Sequence, residues 1–292
     1  MQLLLEHKFI PPPVDYLYVR IGCRRRRLIA EEGGVSSRLS PRQLRKEYRW
    51  VYLHLEPPLF RQLLPVFEFG ELRVLVLALR YLSAGEWQPL EELLQPSLLQ
   101  QRLRRELQNH RQAAGTLAVL ERLLRDDYPI FRGITQCYLR QGPGGVEQRL
   151  IGGYLPRAIA ASGSPKVREL LIYLLDMRNL LAVYKHLHWQ LPQPPPLLSG
   201  GRIPQVVCLR CWQDRDPAAL QQQVRRRAGL GGNPEQLDVE AQLEQGLKKH
   251  LQQLAREPLQ IGVLLDYLWC CREAARTPAP LTGNQEIAEA NE

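Results

Sequence analysis

Apolar positions along this chain recur at steps of three and four, and few segments alternate at the two-residue period of a strand. The clearest pattern spans residues 166–190. There Leu170, Leu174, Met177, Leu181 and Tyr184 share one helical face, and Leu171, Leu175, Leu180, Val183 and Leu187 widen that stripe around the cylinder. A helix so apolar is expected to be buried between others, stopping before Pro192. Residues 68–83 predict a second such helix ending at Gly85, and residues 258–276 a third. Shorter helices are expected from Val14, from Ser40-Pro41 to about His54, from Leu59, from Trp87, and over 98–126, 216–228 and 235–255. Ser40 accepts from first-turn N–H groups while Pro41 suits the opening turn. Glu31-Glu32-Gly33-Gly34 breaks the first helix, and a polar tail begins at Thr277. The Gly-rich stretches at 141–145, 152–153 and 162–165 are expected to bracket irregular chain, with Gln141-Gly142-Pro143-Gly144-Gly145 a turn. The fold class is all-α.

An internal repeat links the long helices. Glu71-Leu72-Arg73-Val74-Leu75 and Asp176-Met177-Arg178-Asn179-Leu180 share acid–x–Arg–x–Leu at an offset of 105 residues, and Arg80 matches Lys185 at the same offset. Each helix leads through a Pro-containing connector to a Leu-Leu pair, Leu93-Leu94 and Leu197-Leu198, and then a turn. Residues 258–276 supply a third copy. The units expected are a shorter first lobe at 14–110, a second at 111–210, a third at 211–280 and a polar tail at 281–292.

Composition narrows the function classes. Lys and Arg number 39 against 30 Asp and Glu, a net charge of +9, so an anionic partner (nucleic acid, membrane surface or acidic protein) is one option and solvated helix faces are the other. No run of about 18 uncharged apolar residues predicts a membrane span, and the N-terminus lacks the basic flank and long apolar run of a secretory signal. The six cysteines therefore read as reduced thiols. Cys208-Leu209-Arg210-Cys211 has the spacing of half a zinc site, to which His186 and His188 or Cys270 and Cys271 would have to contribute; incidental helical thiols explain it as well. Arg24 to Arg27 form a basic run without the aromatic interleaving of a nucleic-acid site, and read as a solvated face or a helix end meeting an acidic partner or anionic lipid heads. Residues 141–145 lack the Gly-Lys-Ser/Thr ending of a phosphate-cradling loop. Asp176 and Asn179, three apart on one face, read as a polar clamp rather than a catalytic pair, since no nucleophile or second acid accompanies them.

Asp176, Asn179, Leu180, Lys185 and the Gly200-Gly201 turn together resemble the signature of the V0D/AC39 family, the central-stalk sockets of V-type and A-type ATPases. The stretch from Tyr16 through Arg20 to Leu28 is similar to that family's first helix. Leu243-Glu244-x-Gly246-Leu247, Glu257-Pro258-Leu259-Gln260-Ile261-Gly262 and Tyr267 are similar to its third repeat. Trp269-Cys270-Cys271-Arg272 departs from the family pattern, so the resemblance is to a divergent member, of bacterial type. The resemblance covers most of the chain in order. It implies three pseudo-repeated helical lobes in a funnel-like or elongated curved body. It also implies a non-catalytic central-stalk rotor protein without cofactor or metal, peripheral on the cytoplasmic membrane face. The D and F shaft subunits, the proteolipid ring and the I/a stator subunit are the implied partners; nucleic acid and small-molecule substrates are not. Tyr16, Arg20, Glu71, Arg80, Asp176, Asn179, Lys185, Gly200, Gly201 and Tyr267 are the structural and interaction candidates. The alternative is a basic helical scaffold or nucleic-acid-associated adaptor unrelated to the ATPase.

Overall fold

The computed structural model describes residues 2–6, 12–30, 39–95, 97–110, 112–229 and 238–276. Among these residues the chain forms twelve α-helices and no strand beyond an isolated bridge between Leu4 and Leu99. Helix α1 (Val14–Ala30) and α2 (Pro41–Leu53) are followed by α3 (Pro57–Ala84), α4 (Trp87–Leu94), α5 (Gln101–Asn109) and α6 (Ala113–Leu124). A 3₁₀ turn at Pro129–Phe131 leads to α7 (Ile134–Ala161), α8 (Pro165–His188), α9 (Gln205–Gln213), α10 (Pro217–Ala228), α11 (Val239–Leu254) and α12 (Ile261–Arg276). No helix of the described residues is long and apolar enough to cross a membrane.

Local chemistry sets the helix ends. Ser40 closes a reciprocal capping box with Gln43, at 3.2 and 2.7 Å. Asp216 and Asp238 accept from first-turn N–H groups of α10 and α11. Gly85, at φ 74°, ends α3 in the left-handed conformation that glycine adopts without steric cost.

Four expectations need correction. Residues 59–84 are one helix rather than two, because Pro65 is accommodated inside α3; its carbonyl accepts from the Tyr154 hydroxyl at 3.2 Å. The stretch 98–126 is two helices, with His110 and Gln112 extended between them. The break expected at 141–145 is the single residue Gly142 (φ 65°, ψ −161°), with Pro143 opening the second half of α7, whereas the other glycines at 144–153 are helical instead of irregular. Gly152 and Gly153 let Leu198 and Ile130 approach the α7 backbone. Helix α9 is absent from the predicted elements; its nine residues carry no sustained apolar period. The breaker at 31–34 and the tail from Thr277 lie outside the described residues.

Buried apolar side chains form one cluster running from Leu3 to Cys271. Helix α3 packs on α4, α7 and α8, while α8, α10, α11 and α12 pack in succession. Helices α1 and α2 contact α12, so the N-terminal helices close against the C-terminal one. At the N-terminus, Leu5 N–H donates to Leu98 and Gln100 N–H to Leu3, stitching residues 3–5 to the chain before α5.

Candidate functional site

Three long apolar helices each bury one acid: Glu71 on α3, Asp176 on α8 and Asp266 on α12. A buried carboxylate must find a counter-charge or hydrogen-bond donors. Asp176 has both and is fully buried. Its Oδ1 accepts from the Ile203 N–H at 3.1 Å, and its Oδ2 pairs with Arg227 Nε of α10 at 2.7 Å. Burial raises the Asp176 carboxyl above its ordinary value, while the Ile203 N–H and Arg227 act in the opposite sense.

One turn further along α8, Asn179 clamps the same connector. Its Nδ2 donates to the Leu198 carbonyl at 2.9 Å and its Oδ1 accepts from the Leu198 N–H at 2.8 Å. Both backbone groups of a buried connector residue are thereby satisfied by a single side chain. The two glycines of the following turn have different tasks. Gly200 takes φ 99°, as expected for a tight turn after the leucine pair. Gly201 lies against α8, where a Cβ would overlap Asp176 Oδ1 and crowd Leu175. Four of the sequence candidates, Asp176, Asn179, Gly200 and Gly201, thus meet in one place and dock residues 198–203 on α8.

Arg227 continues the cluster outward from Asp176. Its guanidinium carbon sits 4.0 Å from the centroid of the Tyr173 ring, and the Tyr173 hydroxyl donates to the Leu243 carbonyl of α11 at 2.9 Å. His250 stacks on the same Tyr173 ring, at 5.9 Å between centroids. Burial first, and the charge of Arg227 second, lower the His250 imidazole from its ordinary value. Gly246 permits this junction, because a Cβ there would meet Ala228 of α10 and the Tyr173 hydroxyl.

A second network joins the first two described helices to the last. Arg25 Nε of α1 pairs with Asp266 at 2.7 Å, and Arg24 pairs with Glu47 of α2 at 2.5 Å. The Tyr267 hydroxyl donates to the same Glu47 carboxylate at 2.7 Å, and the Arg24 guanidinium lies 3.9 Å from the centroid of Trp50. This corrects the picture of residues 24–27 as one outward-facing basic run: Arg24 and Arg25 are internal clasps, and only Arg26 and Arg27 are exposed. The spacing explains the division, since Leu17, Ile21, Arg24, Arg25 and Leu28 fall on the side of α1 opposite its exposed stripe.

The remaining candidates occupy separate places. Tyr16 and Arg20 are exposed on α1, with Arg20 donating to the Tyr16 hydroxyl at 2.8 Å. Arg80 pairs with Glu147 of α7, which Arg178 of α8 also approaches at 3.5 Å. Arg80 and Lys185, which align in the repeat, are both exposed, one on α3 and the other on α8. Glu71 lies within electrostatic reach of Arg104 of α5, and Val74, where the second unit has Asn179, has no polar clamp to offer.

Cys208 and Cys211 are buried on α9, and burial raises the Cys208 thiol to about 11. His186 Nδ1 bonds the Gln193 carbonyl and His188 stacks on Tyr184, so both rings are engaged elsewhere. Among the described residues no three His, Cys, Asp or Glu side chains converge to hold a metal ion.

Sequence reasoning missed Arg227, Asp266, Arg25, Glu47 and Gly246 as members of these networks. Asp266 carried a usable signal, a lone acid inside an apolar helix, which is the same signature that marked Asp176. Arg227 carried none, because Arg225, Arg226 and Arg227 are indistinguishable before the helix is placed. No family model matches this chain, and no curated protein matches it either.

Proposed function

We propose that this protein is a non-catalytic central-stalk rotor subunit of a V/A-type ATPase, coupling a D/F-type shaft to a membrane proteolipid ring during proton or sodium transport. The observation that carries the proposal is the docking of residues 198–203 on α8. The residues through which the chain resembles the V0D/AC39 family, Asp176, Asn179, Gly200 and Gly201, work here as one structural unit. A motif whose members each satisfy a backbone group or make room for one has a physical reason to stay together in sequence.

The clasp between α1, α2 and α12 supports the same reading. A body that passes torque between two partners is served by ends locked to each other, and Arg24, Arg25, Glu47, Asp266 and Tyr267 tie the first and last described helices. In this proposal the protein rests peripherally on the cytoplasmic face of the membrane, and the stator I/a subunit is a neighbour rather than a load-carrying partner. Affinity purification of the full chain from detergent-solubilised membranes tests it. Co-elution of a proteolipid ring with D- and F-type subunits is expected. Recovery of the chain alone from the soluble fraction would contradict the proposal, and so would a steeply salt-dependent complex with nucleic acid.

A further inference from the structure

Helix α1 carries a second pattern on the side away from α12. Tyr16, Val19, Cys23 and Arg26 follow one another at steps of three, four and three, which is the spacing of a coiled-coil seam. All four are exposed, with Tyr16 at 49% and Val19 at 61%. Arg20 and Arg27 occupy equivalent flanking positions seven residues apart, both on the same edge of the seam and both exposed. The opposite edge holds Asp15 and Gly22 instead. The inward face, with Leu17, Tyr18 and Ile21 buried and Arg24 and Arg25 paired, is already engaged. An aromatic and a β-branched side chain stand exposed among the described residues of a clasped helix, edged by Arg27 and by Arg20, which donates to the Tyr16 hydroxyl and lies 5.8 Å from the Trp50 ring centroid.

We propose that this seam of α1 docks one amphipathic helix of a partner protein whose flank carries carboxylates facing Arg20 and Arg27. The narrow seam, two positions per heptad, fits a single helix. Arg20 and Arg27 lie about 10 Å apart along the axis, so acids seven residues apart on the partner would meet both. Arg26, a cation within the seam, fixes the register by requiring an acid opposite it. The small apolar area argues against a membrane surface here, since only Tyr16 and Val19 offer large exposed apolar side chains on this face. The inference stands on the α1 surface alone and does not depend on the rotor proposal.

The test uses the full chain and a fluorescent three-heptad synthetic helix with leucine in its seam except for one glutamate placed to face Arg26, and with glutamate along its flanks, followed by anisotropy. The same peptide with lysine in place of glutamate is the control. The Glu peptide is expected to bind better than the Lys peptide. The double variant Arg20→Glu/Arg27→Glu should weaken the Glu peptide by about tenfold and strengthen the Lys peptide. Val19→Asp should weaken both, and these exposed substitutions should leave the thermal unfolding curve in place. Equal binding of the two peptides, or no effect of the double variant, would overturn the proposal. Binding to phosphatidylcholine–phosphatidylserine vesicles without peptide binding would overturn it in favour of a lipid surface. Self-association abolished by the double variant, with no peptide binding, would overturn it in favour of a second copy of the chain.

Discussion

Removing the Asp176 carboxylate exposes how strongly the packing of α8 on α10 and on residues 198–203 depends on it. In Asp176→Ala the Arg227 side chain, only 8% exposed, loses its counter-ion, and the Ile203 N–H loses its acceptor. The Arg227 guanidinium already has one buried nitrogen, Nη2, without a hydrogen-bond partner, so it has little to fall back on. Breaking a buried ion pair from one side costs about 3–5 kcal/mol, chiefly because the remaining charge is stranded. Replacing both partners behaves differently, since no charge is then left behind. Asp176→Ala/Arg227→Met should therefore lose less than the two single variants added together, with a coupling of about 2 kcal/mol. Urea unfolding of wild type, both single variants and the double variant, followed by circular dichroism, completes the cycle. A loss below about 0.5 kcal/mol for Asp176→Ala, or additivity within that margin, would refute the clamp.

Three further outcomes follow from the same contacts. Gly201→Ala places a methyl group against Asp176 Oδ1 and Leu175, and should cost about 1–3 kcal/mol in urea unfolding; an unchanged midpoint would contradict the close approach. Arg25→Ala strands Asp266 and should cost about 3 kcal/mol near neutral pH. Burial raises the Asp266 carboxyl, so its deprotonation is what folding resists. Stability linked to such a group is present at low pH and lost as pH rises through its folded value, so the Arg25→Ala deficit should shrink on acidification; a deficit that grows would refute this. His250 has the opposite sign. Its folded value lies below the ordinary 6.5, so its stability contribution is present above 6.5 and lost as pH falls through the folded value, and His250→Phe should flatten that part of the stability profile. Parallel profiles for wild type and variant would contradict the assignment.

Helical periodicity made the long elements legible because α3, α8 and α12 are apolar around much of their circumference and tolerate little else. Ser40-Pro41 and Gly85 marked their boundaries through local chemistry that needs no tertiary partner. The Gly-rich segment misled for a physical reason. Its glycines serve close helix packing at Leu198 and Ile130 and a single kink at Gly142, so tertiary contacts override their weak helix preference. Asp176 and Asn179 can be paired from sequence because they lie three apart on one helix, and Gly200 and Gly201 join them only through the signature that the chain resembles. Arg227, 51 residues beyond Asp176, could not. Nor could the clasp of Arg25 to Asp266, which joins the first and last described helices. The split of residues 24–27 into internal and exposed arginines likewise became visible only once α1 was placed on α12.

The central claim, that this protein couples shaft to ring, is tested most directly by ATP-driven ion transport in membrane vesicles. Vesicles from cells lacking the chain are expected to lose ATP-driven pumping while their detached catalytic sector still hydrolyses ATP, with pumping restored by the wild-type chain and poorly by Asp176→Ala. Undiminished pumping in its absence would contradict the account.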